Sequence, residues 1–128
     1  MSDRVNVSSG GPLEAVVGYS RAVRVGNQVV VSGSTTLTAD GVLHPGDCYL
    51  QTRETLAIMG RALEEAGASF SDVVRTRSFI TDIAMAEDFS RAHGEVFADI
   101  RPASTLVEVS ALVHPDLVIE IEIDAIVS

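Results

Sequence analysis

The clearest pattern in the chain is "LVIEIEIDAIV", residues 117–127. Leu117, Ile119, Ile121, Ile123, Ala125 and Val127 alternate there with Glu120, Glu122 and Asp124. A strand sends successive side chains to opposite faces, so one side of this segment is apolar and the other carries carboxylates. The same sorting sets Val107 and Val109 opposite Glu108 and Ser110, and separates Val74 and Ile80 from Arg75 and Arg77. A sheet with one apolar and one charged face is expected, with its last strands at about 105–111 and 117–126. Earlier, "RAVRVGNQVVVSG" places β-branched runs on either side of Gly26-Asn27, which predicts strands at about 21–25 and 28–32 joined by a two-residue turn. Residues 33–47, dense in Gly, Thr, Asp and Pro, read as a loop.

Helical spacing takes over after Asp47, an N-cap candidate. Leu56, Met59, Leu63 and Ala66 recur on one stripe and Gly67 ends the run. "DVVRTRSFITD" reads as a strand. In "MAEDFSRAHGEVFADI" a second stripe forms from Met85, Phe89, Ala92, Val96 and Ile100, stopped at Arg101-Pro102. Two strands, a helix, a strand, a helix and two strands predict an α+β protein, a two-layer α/β sandwich. No repeat or linker divides residues 1–128, so one domain is expected, with a Ser- and Gly-rich lead-in over about 1–17 that is poorly ordered or lies along an edge.

With 128 residues, 46% of them hydrophobic, the chain can bury a core without crosslinks, and its single cysteine, Cys48, excludes an intrachain disulfide. The net charge of −9 opposes a phosphate backbone, so no nucleic-acid partner is expected. No apolar run is long enough to span a membrane and the first residues lack a signal-peptide core, which points to a soluble, cytoplasmic protein. His44 and His114 sit in turn-like "LHPGD" and "VHPDL", and no histidine pair has metal-ligand spacing, so no metal is expected. The charged sheet face either meets water or meets another subunit, and the pattern leaves both open. Tyr19 could donate to a substrate carbonyl or tie down the lead-in. His93, a turn from both Phe89 and Phe97, could serve as an acid or base or be satisfied within the helix edge. Glu108 and Glu122 read as partners of Arg75 or Arg77. Ser32 and Ser104 show no His-Asp relay.

Four fragments, taken in order, resemble the RidA/YjgF family of reactive-intermediate deaminases: "VVGYSRAVRVGNQVVVSG", "TRETLAIMGRALEEAGASFSDVVRTRSFITD", "RPASTLVEV" and "IEIDAIV". The resemblance implies a chorismate-mutase-like fold with a mixed six-stranded sheet, two helices on one face, and a homotrimer with ligand pockets between subunits. It also implies hydrolysis of small imines or enamines to a carbonyl compound and ammonia, without a cofactor. By position, Tyr19, Ser32 and Gly33 match substrate-binding motifs, and Asp124 takes the place of a last-strand glutamate that positions water. His93 stands where an asparagine is frequent. Ser104 stands where the family has an arginine that clamps a substrate carboxylate, and Arg101 lies three residues earlier. A serine offers a hydroxyl and no charge, so the resemblance implies Asp124 and His93 as catalytic candidates, Tyr19, Ser32, Gly33 and Ser104 as binding candidates, and a substrate other than the usual 2-imino acid. A trimeric small-molecule-binding or protein-interaction module without catalysis is the alternative. A ribonuclease role fits the acidic charge poorly.

Overall fold

The computed structural model describes residues 3–128. Its strands are β1 (Val5–Val7), β2 (Ala22–Val25), β3 (Gln28–Ser34), β4 (Leu37–Thr38), β5 (Gly41–Val42), β6 (Val73–Ile80), β7 (Ala103–Glu108) and β8 (Ile119–Ile126). The helices α1 (Cys48–Glu65) and α2 (Ala86–Phe97) lie on either side of β6 in the sequence. Six strands form one mixed sheet in the order β1-β2-β3-β8-β6-β7, antiparallel throughout except for the parallel pair β6–β7. This is the expected α+β sandwich.

Helix α1 begins where Asp47 accepts from the Leu50 amide at 3.0 Å. It ends as the sequence predicts. Gly67, at φ 81°, donates to the Glu64 carbonyl and Ala68 to that of Leu63, closing the last turn with a residue that tolerates left-handed backbone. The predicted stripe is buried: Leu56, Met59 and Leu63 pack on Ile119, Ile121 and Ile123. Phe89 and Phe97 of α2 join the same core. Gln51, fully buried on α1, donates to the carbonyls of His44 and Asp116 and accepts from the Val118 amide. That carboxamide fixes the connection entering β8. Among the described residues no helix is long and apolar enough to cross a membrane.

The structure sharpens or corrects the sequence expectations in four places. Of the two courses open to the lead-in it takes the edge: β1 is the end strand of the sheet, paired to β2, and a π-helical turn follows at Glu14–Gly18. The 33–47 loop contains the β4–β5 hairpin. The expected two-residue turn joins β2 to β3, with Val25 paired to Gln28; only Gly26 takes positive φ, 60°, the pattern of a II′ turn. Strand faces differ as well. A shift between Val73 and Arg75 turns Val74 away from the core, leaving it 44% exposed, while Ile80 is buried as expected. Val107 pairs with Phe79, which pairs with Glu120, so Val107 lies on the charged face and Glu108 on the helix side. The Glu108 carboxylate accepts from the Ile83 amide and pairs with neither arginine.

Candidate functional site

The site grows from an irregularity in β3. Register with β8 shifts between Val31 and Ser34, which leaves Ser32 and Gly33 in a bulge. Around it opens a groove of about 890 Å³, lined by Tyr19, Arg21, Ser32, Gly33, Glu120 and Glu122 from the sheet side and by Ile58 and Arg61 of α1.

Arg21 organises this wall. Only 7% exposed, its guanidinium donates through Nη1 to the Gly33 carbonyl (2.8 Å) and Ser34 Oγ (2.9 Å), and through Nη2 to the Tyr19 hydroxyl (3.1 Å). Its Nε lies 3.6 Å from a carboxylate oxygen of buried Glu14. The Ser8-Ser9-Gly10-Gly11 segment wraps that carboxylate, with bonds from Ser9 Oγ (2.6 Å), Ser8 Oγ (3.0 Å) and the Gly11 amide (3.0 Å). Burial pushes the Glu14 pKa up, but the donors Ser9, Gly11 and Ser8 together with the Arg21 charge outweigh it and hold the group below the usual carboxylate range. Because Tyr19 accepts from Arg21, its own phenolic proton is left to donate. The Ser32 hydroxyl donates to the Ser20 carbonyl at 2.6 Å, so toward a ligand it can only accept.

The three carboxylates of β8 divide between two fates. Asp124 and Glu122 flank Arg77, at 3.2 and 3.4 Å. Glu120 lies instead against Gly33, where burial first, and then the Glu122 charge, push its pKa up, with Arg21 pulling the other way. A carboxyl whose pKa is raised thus faces the groove, whereas Asp124 does not line it. Gly33 makes this possible: a Cβ there would overlap a Glu120 carboxyl oxygen and come within 3.1 Å of its Cδ. Gly33→Ala is expected to swing that carboxyl aside at a cost of about 0.5–1.5 kcal/mol of rotamer strain. Thermal unfolding should shift by only a few degrees while any Glu120-dependent activity falls further, and a large loss of stability would show that the carboxyl cannot move.

His93 and Ser104 meet elsewhere, at the β6–β7 edge on the helix side. His93 Nε2 is 3.0 Å from Thr76 Oγ1, which donates to Ser104 Oγ at 3.0 Å. The imidazole sits between Phe89 and Phe97, with ring centroids at 5.2 and 4.7 Å, and burial lowers its pKa. Arg101 is exposed, takes φ 57°, and does not line the groove. Sequence reasoning missed Arg21, Glu14 and Glu120. The available signals were a Ser-Ser-Gly-Gly run three residues before an acid, and a glycine inside a strand, which often marks close approach of another group.

A mixed sheet with two helices on one face, and a carboxyl-lined groove beside a bulge in its third strand, defines the class of α+β protein. The profile of the family described as "Endoribonuclease L-PSP" matches residues 11–127. The crystal structure of Rv2704 from Mycobacterium tuberculosis, a member of the YjgF/YER057c/UK114 family, superposes with a TM-score of 0.90 at 46% identity, covering 98% of this chain and 100% of that one. The YjgF gene product of E. coli superposes with a TM-score of 0.81 at 27% identity over 95% and 97% of the two chains. The 3-aminoacrylate deaminase RutC of Acinetobacter baylyi is 38% identical over 104 residues, 80% of this chain and 82% of that protein. The chain belongs to this L-PSP family, also called YjgF or RidA.

Proposed function

We propose that the protein is a cofactor-independent deaminase that hydrolyses small imines or enamines to the carbonyl compound and ammonia. The observation that carries this reading is Glu120: a carboxyl with raised pKa, against Gly33 and within the field of Arg21, in an open groove that Tyr19 also lines. The kinship with a 3-aminoacrylate deaminase supports it. For an imine the Glu120 carboxyl would protonate the nitrogen, and for an enamine the β-carbon; either gives the iminium, and the carboxylate would then take a proton from the water that adds to the iminium carbon. In the carbinolamine so formed, the hydroxyl proton leaves through Glu120 to the nitrogen, the C–N bond breaks, and the carbonyl compound and ammonia depart. Tyr19 would donate to the substrate and Ser32 would accept from it.

Asp124, the carboxylate favoured by sequence position, has the lesser part here because Arg77 occupies it. We further propose that three copies assemble with their charged sheet faces inward. Val30, Val107 and Ile126, 49%, 42% and 43% exposed on that face, are the apolar contacts such an assembly would cover. The β7 edge of one copy, with His93 and Ser104, would then close the groove of the next.

The test is ammonia release from imines generated enzymatically from 2-amino acids or their amides. Acceleration over buffer is expected, and its absence with every imine sinks the deaminase reading. Saturable binding without turnover would instead establish the non-catalytic module. Light scattering should give three times the 13.5 kDa chain mass, and a monomer would remove the inward-facing sheet.

A further inference from the structure

Three side chains from three elements form one hydrogen-bonded chain at the β6–β7 edge. Thr76, fully buried on β6, is 3.0 Å from both His93 Nε2 on α2 and Ser104 Oγ on β7, and it donates to the serine. A threonine hydroxyl has one proton. With that proton committed to Ser104, the contact with His93 is a hydrogen bond only if Nε2 carries a proton and donates it. The chain therefore has a direction, from His93 to Thr76 to Ser104. Its free end is the Ser104 O–H, on an exposed residue of the outermost strand. Successive donors polarise one another, so this hydroxyl is a better donor than an isolated serine.

The chain contains no fixed positive charge. Arg75 and Arg77 alternate with Thr76 along β6 and so take the opposite face. Burial between two phenylalanine rings disfavours the charged form of the imidazole. An acceptor meeting Ser104 thus receives a strong neutral donor, and the β6–β7 edge itself offers it no ion-pair partner. A carboxylate would have to shed hydration for that one bond, whereas an amide, ester or ketone oxygen gives up much less.

We propose that the His93–Thr76–Ser104 chain makes Ser104 the hydrogen-bond donor for an uncharged carbonyl oxygen, and that the ligand is accordingly a neutral carbonyl compound in preference to a carboxylate. This deepens the functional reading above and rests on it for where the ligand sits. Isothermal titration of the full chain with 2-oxobutanamide and 2-oxobutanoate tests it without requiring turnover. The amide should bind about 10-fold tighter, the scale of one good hydrogen bond. Ser104→Ala, at an exposed position that does not threaten the fold, should abolish that preference. Thr76→Val, of nearly the same shape, should remove most of it with Ser104 still present. Ser104→Arg should reverse it.

Nitrogen NMR of His93 should show the proton on Nε2 in the wild type. Equal or tighter binding of the oxobutanoate, binding of neither compound, an unchanged preference in Thr76→Val, or an unprotonated Nε2 would each overturn the proposal. An amide preference without ammonia release from any imine would overturn the deaminase reading alone.

Discussion

Replacing Arg21 by methionine is expected to lower stability by about 3–5 kcal/mol, the cost typical of leaving one member of a buried ion pair without its partner. Glu14 is only 6% exposed. The serines and the Gly11 amide that hold it would remain, but the charge they were arranged around would lose its counterion. Two further acceptors, the Gly33 carbonyl and Ser34 Oγ, lose their donor in the same step. Urea unfolding at pH 7 measures the effect. The double variant Arg21→Met/Glu14→Leu should recover at least half of the loss, because no buried charge is then left alone. The pH dependence has a definite sign. The folded pKa of Glu14 is depressed, so its stabilisation is present above the unfolded pKa and is lost as pH falls through the folded one. In Arg21→Met that acid-side loss should shrink. A single-variant effect below about 1 kcal/mol, the scale of an exposed pair, would show that the cluster is solvated.

What could be read in advance follows from where the determinants lie in the sequence. The alternation of β8 and the stripe of α1 are local and periodic, and both stand as expected, with Ile119, Ile121 and Ile123 buried against Leu56, Met59 and Leu63. Strand β1 has three residues, too few for a period, and owes its place to pairing with Ala22, Val23 and Arg24. Val74 takes the face opposite to the one alternation predicts because a bulge inserts one residue and inverts every assignment on one side of it. Val107 lies on the charged face, which alternation does not foretell because it sorts residues into two sets without saying which set is inward. The groove was partly legible: Tyr19, Ser32 and Gly33 stand in one contiguous motif. The Arg21–Glu14 pair depends on how the lead-in folds back, which no spacing rule gives. Glu120, Glu122 and Asp124 are equivalent by alternation, and only the β3 bulge and the position of Arg77 tell them apart. The link from His93 to Ser104 passes through Thr76, which lies 28 residues before the serine and looks like an ordinary strand threonine.

Glu120→Gln is expected to lower kcat/KM for imine hydrolysis by about 10²-fold or more, the usual contribution of a positioned general acid–base. Gln keeps the shape and the approach to Gly33 but cannot give up or take a proton, so the loss reports proton transfer and not packing. The pH profile carries the sharper information. Burial and the Glu122 charge raise the Glu120 pKa above the ordinary carboxylate value against the pull of Arg21, so the proton-bearing form persists to higher pH than in a free glutamate. Activity that needs this form should fall as pH rises through the elevated pKa, and Glu120→Gln should lack that limb. Removing the repelling neighbour with Glu122→Gln should move the limb to lower pH while retaining it. Stability provides an independent check of sign. A group whose folded pKa is raised contributes stability that is lost as pH rises through that pKa, so Glu120→Gln should gain stability relative to the wild type over the same interval. A Glu120→Gln enzyme with activity within threefold of the wild type, or with the same pH limb, would remove Glu120 from the chemistry and return the proton step to Asp124 or His93.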